Sequence, residues 1–143
     1  MKKWLLACLM CVAPLSMADG HGDLGLEKRQ PDAPMNVTSV LLGEEVSSIS
    51  AEGDMEGYGK VYLSYEFVSS SADKNQGDFS GDIRTINNDG VMVAGTLQGI
   101  WKRDGKMVTM YTLDQFSNGD MIYAKGDVDL VKGTMSFTAY PIQ

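Results

Sequence analysis

From residue 59 onward, apolar and polar side chains alternate with a period of two. In 60–68, Val61, Leu63, Tyr65 and Phe67 share one face, and Lys60, Tyr62, Ser64 and Glu66 share the other. Val91, Val93, Gly95, Leu97, Gly99 and Trp101 line one side of a later segment. Ile122, Ala124, Gly126 and Val128 do so after that, opposite Met121, Tyr123, Lys125 and Asp127. Met135, Phe137 and Ala139 alternate with Thr134, Ser136, Thr138 and Tyr140. Alternation of this kind marks strands with one covered face. No window carries a helical stripe over three turns. The pattern predicts strands at 35–42, 46–52, 59–68, 78–87, 91–101, 106–116, 120–129 and 133–140.

Punctuation between these segments is regular. Asn88-Asp89-Gly90, Arg103-Asp104-Gly105, Asn118-Gly119 and Lys132-Gly133 are tight-turn signals, because glycine there supplies the positive φ that hairpins need. Glycines 77, 90, 105, 119 and 133 recur every 13 to 15 residues, the length of a strand plus a short turn. Eight antiparallel strands joined by hairpins remove their exposed edges by closing on themselves. The expected fold is therefore all-β, a single up-and-down β-barrel of about eight strands. A β-sandwich is the alternative, less suited to connections this short. Gly95, Gly99 and Gly126, inside strands, suit the bends that closure requires.

Upstream of the alternating region the chain changes character. Lys2 and Lys3 precede an apolar run from Trp4 to Val12, followed by Pro14 and by Ser16 and Ala18. This reads as a secretory signal peptide of bacterial style over 1–18, too short in its apolar part to span a bilayer. Residues 19–34 read as a flexible leader, and 35–143 as the barrel domain. The expected location is the periplasm or the exterior. Cys8 and Cys11 both fall in the signal, so the processed chain has no cysteine chemistry.

The chain has 143 residues and a net charge of −7. Without Lys2 and Lys3, ten basic residues face 19 acidic ones, giving −9. That balance disfavours nucleic acid and anionic membranes. An outer-membrane barrel is disfavoured too, by the short C-terminal connections and by Pro141 where a closing strand would need its N–H.

Three segments carry a resemblance: Gly81-Asp82-Ile83-Arg84, Gly95-Thr96-Leu97-Gln98-Gly99-Ile100-Trp101, and Gly126-Asp127-Val128-Asp129-Leu130. In this glycine-punctuated pattern the chain resembles the calycin-type small barrels, and within them the allene oxide cyclase and dirigent-like group. The resemblance spans roughly residues 40–142 and is one of pattern. It implies a hydrophobic molecule bound in the barrel, and in some members steered cyclisation or coupling. No catalytic residue of the group maps onto a motif here. Gly99-Ile100-Trp101 is also similar to the lipocalin Gly-x-Trp signature, which in lipocalins lies on the first strand.

Few residues offer chemistry. His21, the only histidine, sits in the leader. No metal site is expected: Asp114, Asp120, Asp127 and Asp129 do not match a calcium loop and read as turn and surface residues. No cofactor is implied. Serines are plentiful without a nucleophile elbow, and Ser69–Gln76 reads as a linker or a lid over one barrel mouth. Polar residues within strands remain. Tyr62, Glu66, Arg84, Trp101, Tyr111 and Tyr123 are the candidate ligand-binding residues, on the premise that some face the lumen. Glu66 and Arg84 are the speculative catalytic pair, a carboxylate desolvated beside a guanidinium. Met92, Met107, Met110, Met121 and Met135 read as core filler.

The expected function is an exported soluble barrel that binds a small hydrophobic molecule in its lumen. A cofactor-free isomerase or cyclase using the pocket is one alternative, and whether any reaction is catalysed stays open. A surface-binding or inhibitory module with a solid core is the other.

Overall fold

The computed structural model describes Leu26 and residues 32–142. The expected signal peptide, both cysteines, His21 and most of the leader lie outside the described residues. The strands are β1 (Ala33–Leu41), β2 (Val46–Met55), β3 (Gly59–Ser69), β4 (Gln76–Ile86), β5 (Met92–Asp104), β6 (Met107–Phe116), β7 (Met121–Asp129) and β8 (Thr134–Pro141). Each strand pairs antiparallel with the next, and β8 returns to β1, closing one barrel. The sandwich alternative is thereby set aside. All eight expected strands are present, with ends displaced by at most three residues. β1 begins at Ala33, so the last two residues of the expected leader belong to the barrel.

Turn chemistry follows the glycines. Gly90, Gly105, Gly119 and Gly133 all adopt positive φ. Gly77 does not belong with them; it lies in β4, where an added Cβ would fall 1.9 Å from the Val68 carbonyl oxygen. Asp129 ends β7 by accepting the Val131 and Lys132 N–H groups, each at 3.0 Å, and pairs with Lys106 at 3.1 Å.

The apolar face of every strand points inward. Val61, Tyr65, Met35, Met110, Met135 and Val128 are almost wholly buried. The sense is apolar in and polar out, the reverse of the alternation of membrane barrels. Tyr65 packs edge-on against Phe79 at 5.3 Å and lies 5.9 Å from Phe67 and 6.3 Å from Phe137. Met110 and Met135 fill the core as expected, whereas Met92 and Met121 are exposed on the outside.

Glycines inside the strands make room for these large groups. Gly81 lies directly opposite Tyr65, Gly99 opposite Phe79, Gly95 opposite Phe116 and Gly126 opposite Phe137. A Cβ at Gly126 would fall 2.2 Å from the Phe137 ring. A bulge in β1 between Val37 and Ser39 shifts the register, so that Val40 pairs with Ile49 and turns inward with it.

Gly126→Ala should therefore lower the urea midpoint by the equivalent of about 1–3 kcal/mol, the usual cost of overpacking. Trimming the ring in the same chain, with Phe137→Leu, should recover part of that loss. An unchanged midpoint in the single variant would show that the ring has space to move.

Candidate functional site

Closure gives the barrel two ends with different chemistry. The turns after β2, β4 and β6 lie at one end, here the Tyr58 end. The connections after β1, β3, β5 and β7 lie at the other, here the Trp101 end. Side chains fill most of the interior between them. The space left at the Tyr58 end is about 30 Å³, enough for about one water. It is lined by Leu63, Tyr65, Ile83, Leu97, Phe137 and the carboxyl of Asp114, among others. Tyr58 sits over it, its ring tilted against Phe116 at 5.6 Å, and its hydroxyl donates to the Asp120 carboxylate. Asn118 also donates to Asp120, at 2.9 Å.

Asp114 is the only carboxylate at an inward-facing strand position among the described residues. The β5–β6 pairing explains its place. Gly95 and Thr96 pair with Phe116 and Gln115, and pairing resumes only at Gly99 with Thr112. In the interval the Gln98 N–H donates to the Asp114 carboxylate, and so does the Thr112 hydroxyl. Burial in this apolar space pushes the Asp114 carboxyl up from 3.8 to about 7, against the pull of those two bonds. The Tyr65 hydroxyl is raised well above its ordinary range, first by burial and then by the Asp114 charge.

At the Trp101 end the barrel opens instead. A pocket of about 290 Å³ lies there, with Val40, Leu42, Ile49, Phe67, Trp101 and Leu130 among its walls. Phe67 and Trp101 meet edge-on at 6.0 Å. The indole N–H of Trp101 is shared between the carbonyls of Val68 and Asp78, at 3.2 and 3.1 Å, which fixes the ring. Several apolar walls stand open to solvent: Leu42 is 83% exposed and Val40 52%.

Two cations join this apolar wall, Lys74 and Arg103. Arg103 is the inward residue that follows Trp101 on β5. Its backbone N–H donates to the Asn75 carbonyl at 2.7 Å, and its guanidinium to the Asn75 side chain and to the Gly105 carbonyl. Lys74 stands at φ 53°, a left-handed conformation uncommon for a side-chain-bearing residue. The β3–β4 loop holds it there. Lys74 N–H donates to the Ser71 carbonyl at 3.0 Å, and the Ser71 hydroxyl accepts from the Asn75 and Gln76 N–H groups. Bonds from Ser71 and Asn75 also hold the Asp73 carboxyl below its usual range. The segment read as a linker or lid is thus a braced loop that sets Lys74 and Asn75 at the mouth.

Of the six candidate ligand-binding residues, only Trp101 lines a mouth of the barrel. Tyr62, Glu66, Arg84, Tyr111 and Tyr123 point outward, because their strands turn the neighbouring apolar residues in. Glu66 and Arg84 do not meet. Glu66 lies opposite Ser80, while Arg84 lies opposite Tyr62 and pairs with Asp82 at 3.6 Å. Tyr123 packs at a tilt against Tyr140 at 5.8 Å across β7 and β8. The four aspartates considered for a metal are dispersed: Asp114 inside, Asp120 in the β6–β7 turn, Asp127 outside beside Thr109 and Lys125, and Asp129 at the end of β7. Among the described residues no group of three His, Cys, Asp or Glu is placed to hold a metal ion. Compared with known protein families, curated proteins and solved structures, the chain shows no significant match.

Asp114 makes a pH prediction with a definite sign. Its folded value, about 7, lies above the 3.8 of an ordinary aspartate. Its stabilisation is therefore complete at low pH and is lost as pH rises from about 4 to about 7, by at most ~1.4 kcal/mol per pH unit. Asp114→Asn keeps an acceptor for Gln98 and removes the titration. The difference in urea midpoint between the two proteins should shift steadily in favour of Asn across that window. A constant difference would mean that Asp114 titrates normally.

Proposed function

We propose that the protein is an exported β-barrel that binds a small hydrophobic molecule, seated at the Trp101 mouth and not deep in the lumen. The observation that carries this reading is the open apolar pocket of about 290 Å³ above the Phe67 and Trp101 rings. Ligand sites are concave and mostly apolar with a few placed polar groups, and this volume is at the small end of their range. An apolar wall left in water costs free energy, which a ligand recovers by covering it. The signal-like segment at 1–18 supports export, and the resemblance to calycin-type barrels supports an apolar ligand. The isomerase or cyclase alternative has less support, since Glu66 faces solvent and the inward Asp114 adjoins a space of only about 30 Å³.

A second reading, the surface-binding module, has an observation of its own. Ile100 pairs across the ladder with Tyr111, and Leu113 with Tyr123. These form an apolar stripe on the outside of β5–β7, with Ile100 57% and Leu113 55% exposed. Native mass spectrometry of the protein from its own host separates the two readings. A small-molecule adduct supports the mouth, and a bound protein supports the stripe.

Binding of a neutral apolar dye such as N-phenyl-1-naphthylamine tests the mouth directly. Leu42→Ser and Leu130→Ser should each weaken the dye about tenfold, or ~1.4 kcal/mol, with little effect on stability. Trp101→Phe should abolish any dye-induced change in the emission of that tryptophan. Dye affinity unmoved by either serine variant would place the site elsewhere.

A further inference from the structure

We propose that the Trp101 mouth selects amphipathic anions, molecules of the medium-chain carboxylate type, with Lys74 and Arg103 taking the head group and the Phe67–Trp101 wall the tail. The inference rests on the reading of this mouth as a ligand site and adds the chemical class of the ligand.

Charge distribution is the first argument. The chain is acidic, at −7, yet the ten residues around this pocket include two cations and no acid. The acids at this end, Glu44, Glu45 and Asp73 in the connections and Asp104 and Asp129 at the strand ends, lie outside that lining. A cation pair gathered on an apolar wall in an acidic protein is selective for ligands of negative charge.

Unused bonding capacity is the second. Neither Lys74 nor Arg103 forms an ion pair with a described residue. Lys74 Nζ donates to the Glu44 carbonyl at 3.2 Å, one of the three donors an ammonium has. The Arg103 guanidinium gives one bond to Gly105 and one to Asn75, of five available. Both charges therefore reach the pocket with donors to spare. The bonds they do make go to neutral oxygens, which orient the groups without cancelling their charge.

Bracing is the third. The same loop that fixes Lys74 in its left-handed conformation binds Arg103 twice through Asn75. Two long side chains that would otherwise lose rotamer freedom on binding are ordered beforehand. A head group seated between them leaves its hydrocarbon tail against Trp101, Phe67 and Leu42.

The test compares octanoate, 1-octanol and octyltrimethylammonium, three molecules with one tail and different heads, by calorimetry on the full chain at low salt. Octanoate should bind about tenfold tighter than octanol, as charge-assisted bonds at a partly exposed site allow, and the cation weakest. Lys74→Gln and Arg103→Gln should each weaken octanoate several-fold more than octanol, while Arg103→Lys should keep most of the preference. Added salt should weaken octanoate alone. Octanol binding as tightly as octanoate, or Lys74→Gln weakening both alike, overturns the inference and leaves the apolar mouth standing. If none of the three binds, the ligand-site reading falls and takes this inference with it.

Discussion

Closure of the sheet is the constraint from which the other features follow. An eight-stranded barrel has an interior just wide enough for side chains, so whatever faces inward must fit within a fixed circumference. Here the interior holds Tyr65, Phe67, Phe79, Phe116 and Phe137. Rings of this size cannot all face one another across so narrow a space. Each of four strand glycines gives up its side chain directly opposite a ring, and Gly53 does the same for Met35. Glycine costs stability in an ordinary strand. In this one it replaces a steric clash with ring contact, and the ring covers the backbone that glycine exposes.

Filling is uneven along the barrel axis. Towards the Tyr58 end, rings, branched side chains and the Tyr58–Asp120 bridge leave about 30 Å³. At the Trp101 end the connection from β1 to β2 and the β3–β4 loop stand out from the barrel, and the bulge in β1 turns Val40 towards the opening. Apolar residues there have a wall to belong to but no opposite wall to meet. The difference is one of strand length and register. β5 runs on to Asp104, past the end of the β4 ladder at Gln76, and so carries Arg103 beyond the packed core.

That geometry also explains what was legible in the amino-acid sequence. Period-two alternation from residue 59 onward and the glycine turns of the C-terminal half make those strands legible, because both are local consequences of backbone geometry. Which face turns inward stays open in the sequence, since parity alone does not distinguish the two sides; in the structure it is the apolar one in β3, β7 and β8. The candidate site was not legible. Tyr62, Glu66, Tyr111 and Tyr123 were candidates only if polar faces turned inward, and the apolar neighbours of each exclude that in a filled barrel. In the sequence Arg103-Asp104-Gly105 reads as a turn; in the structure β5 runs on to Asp104, and two more residues of alternation place Arg103 inside the mouth. Lys74 had no signal at all, because its position depends on loop bonds between residues that follow no period. Leu42 was hidden by the bulge, which reverses parity where sequence alone shows no break.

Asp114 shows how a buried acid serves the backbone of a closed sheet. Between Thr96 and Gly99 the β5–β6 ladder is interrupted. A ladder N–H left without a partner away from bulk solvent is costly. The Asp114 carboxyl supplies the acceptor that Gln98 lacks, and the Thr112 hydroxyl supplies a donor in return. An apolar residue at 114 would fill the same space and leave Gln98 unsatisfied. The protonated acid still has a carbonyl oxygen with which to accept that bond, so the repair survives the neutral state that burial favours. The raised pKa is the consequence of burial, opposed by the same two bonds that make the repair. At the other end two cations border an apolar wall that stands open to solvent, and no interrupted ladder accounts for their placement there.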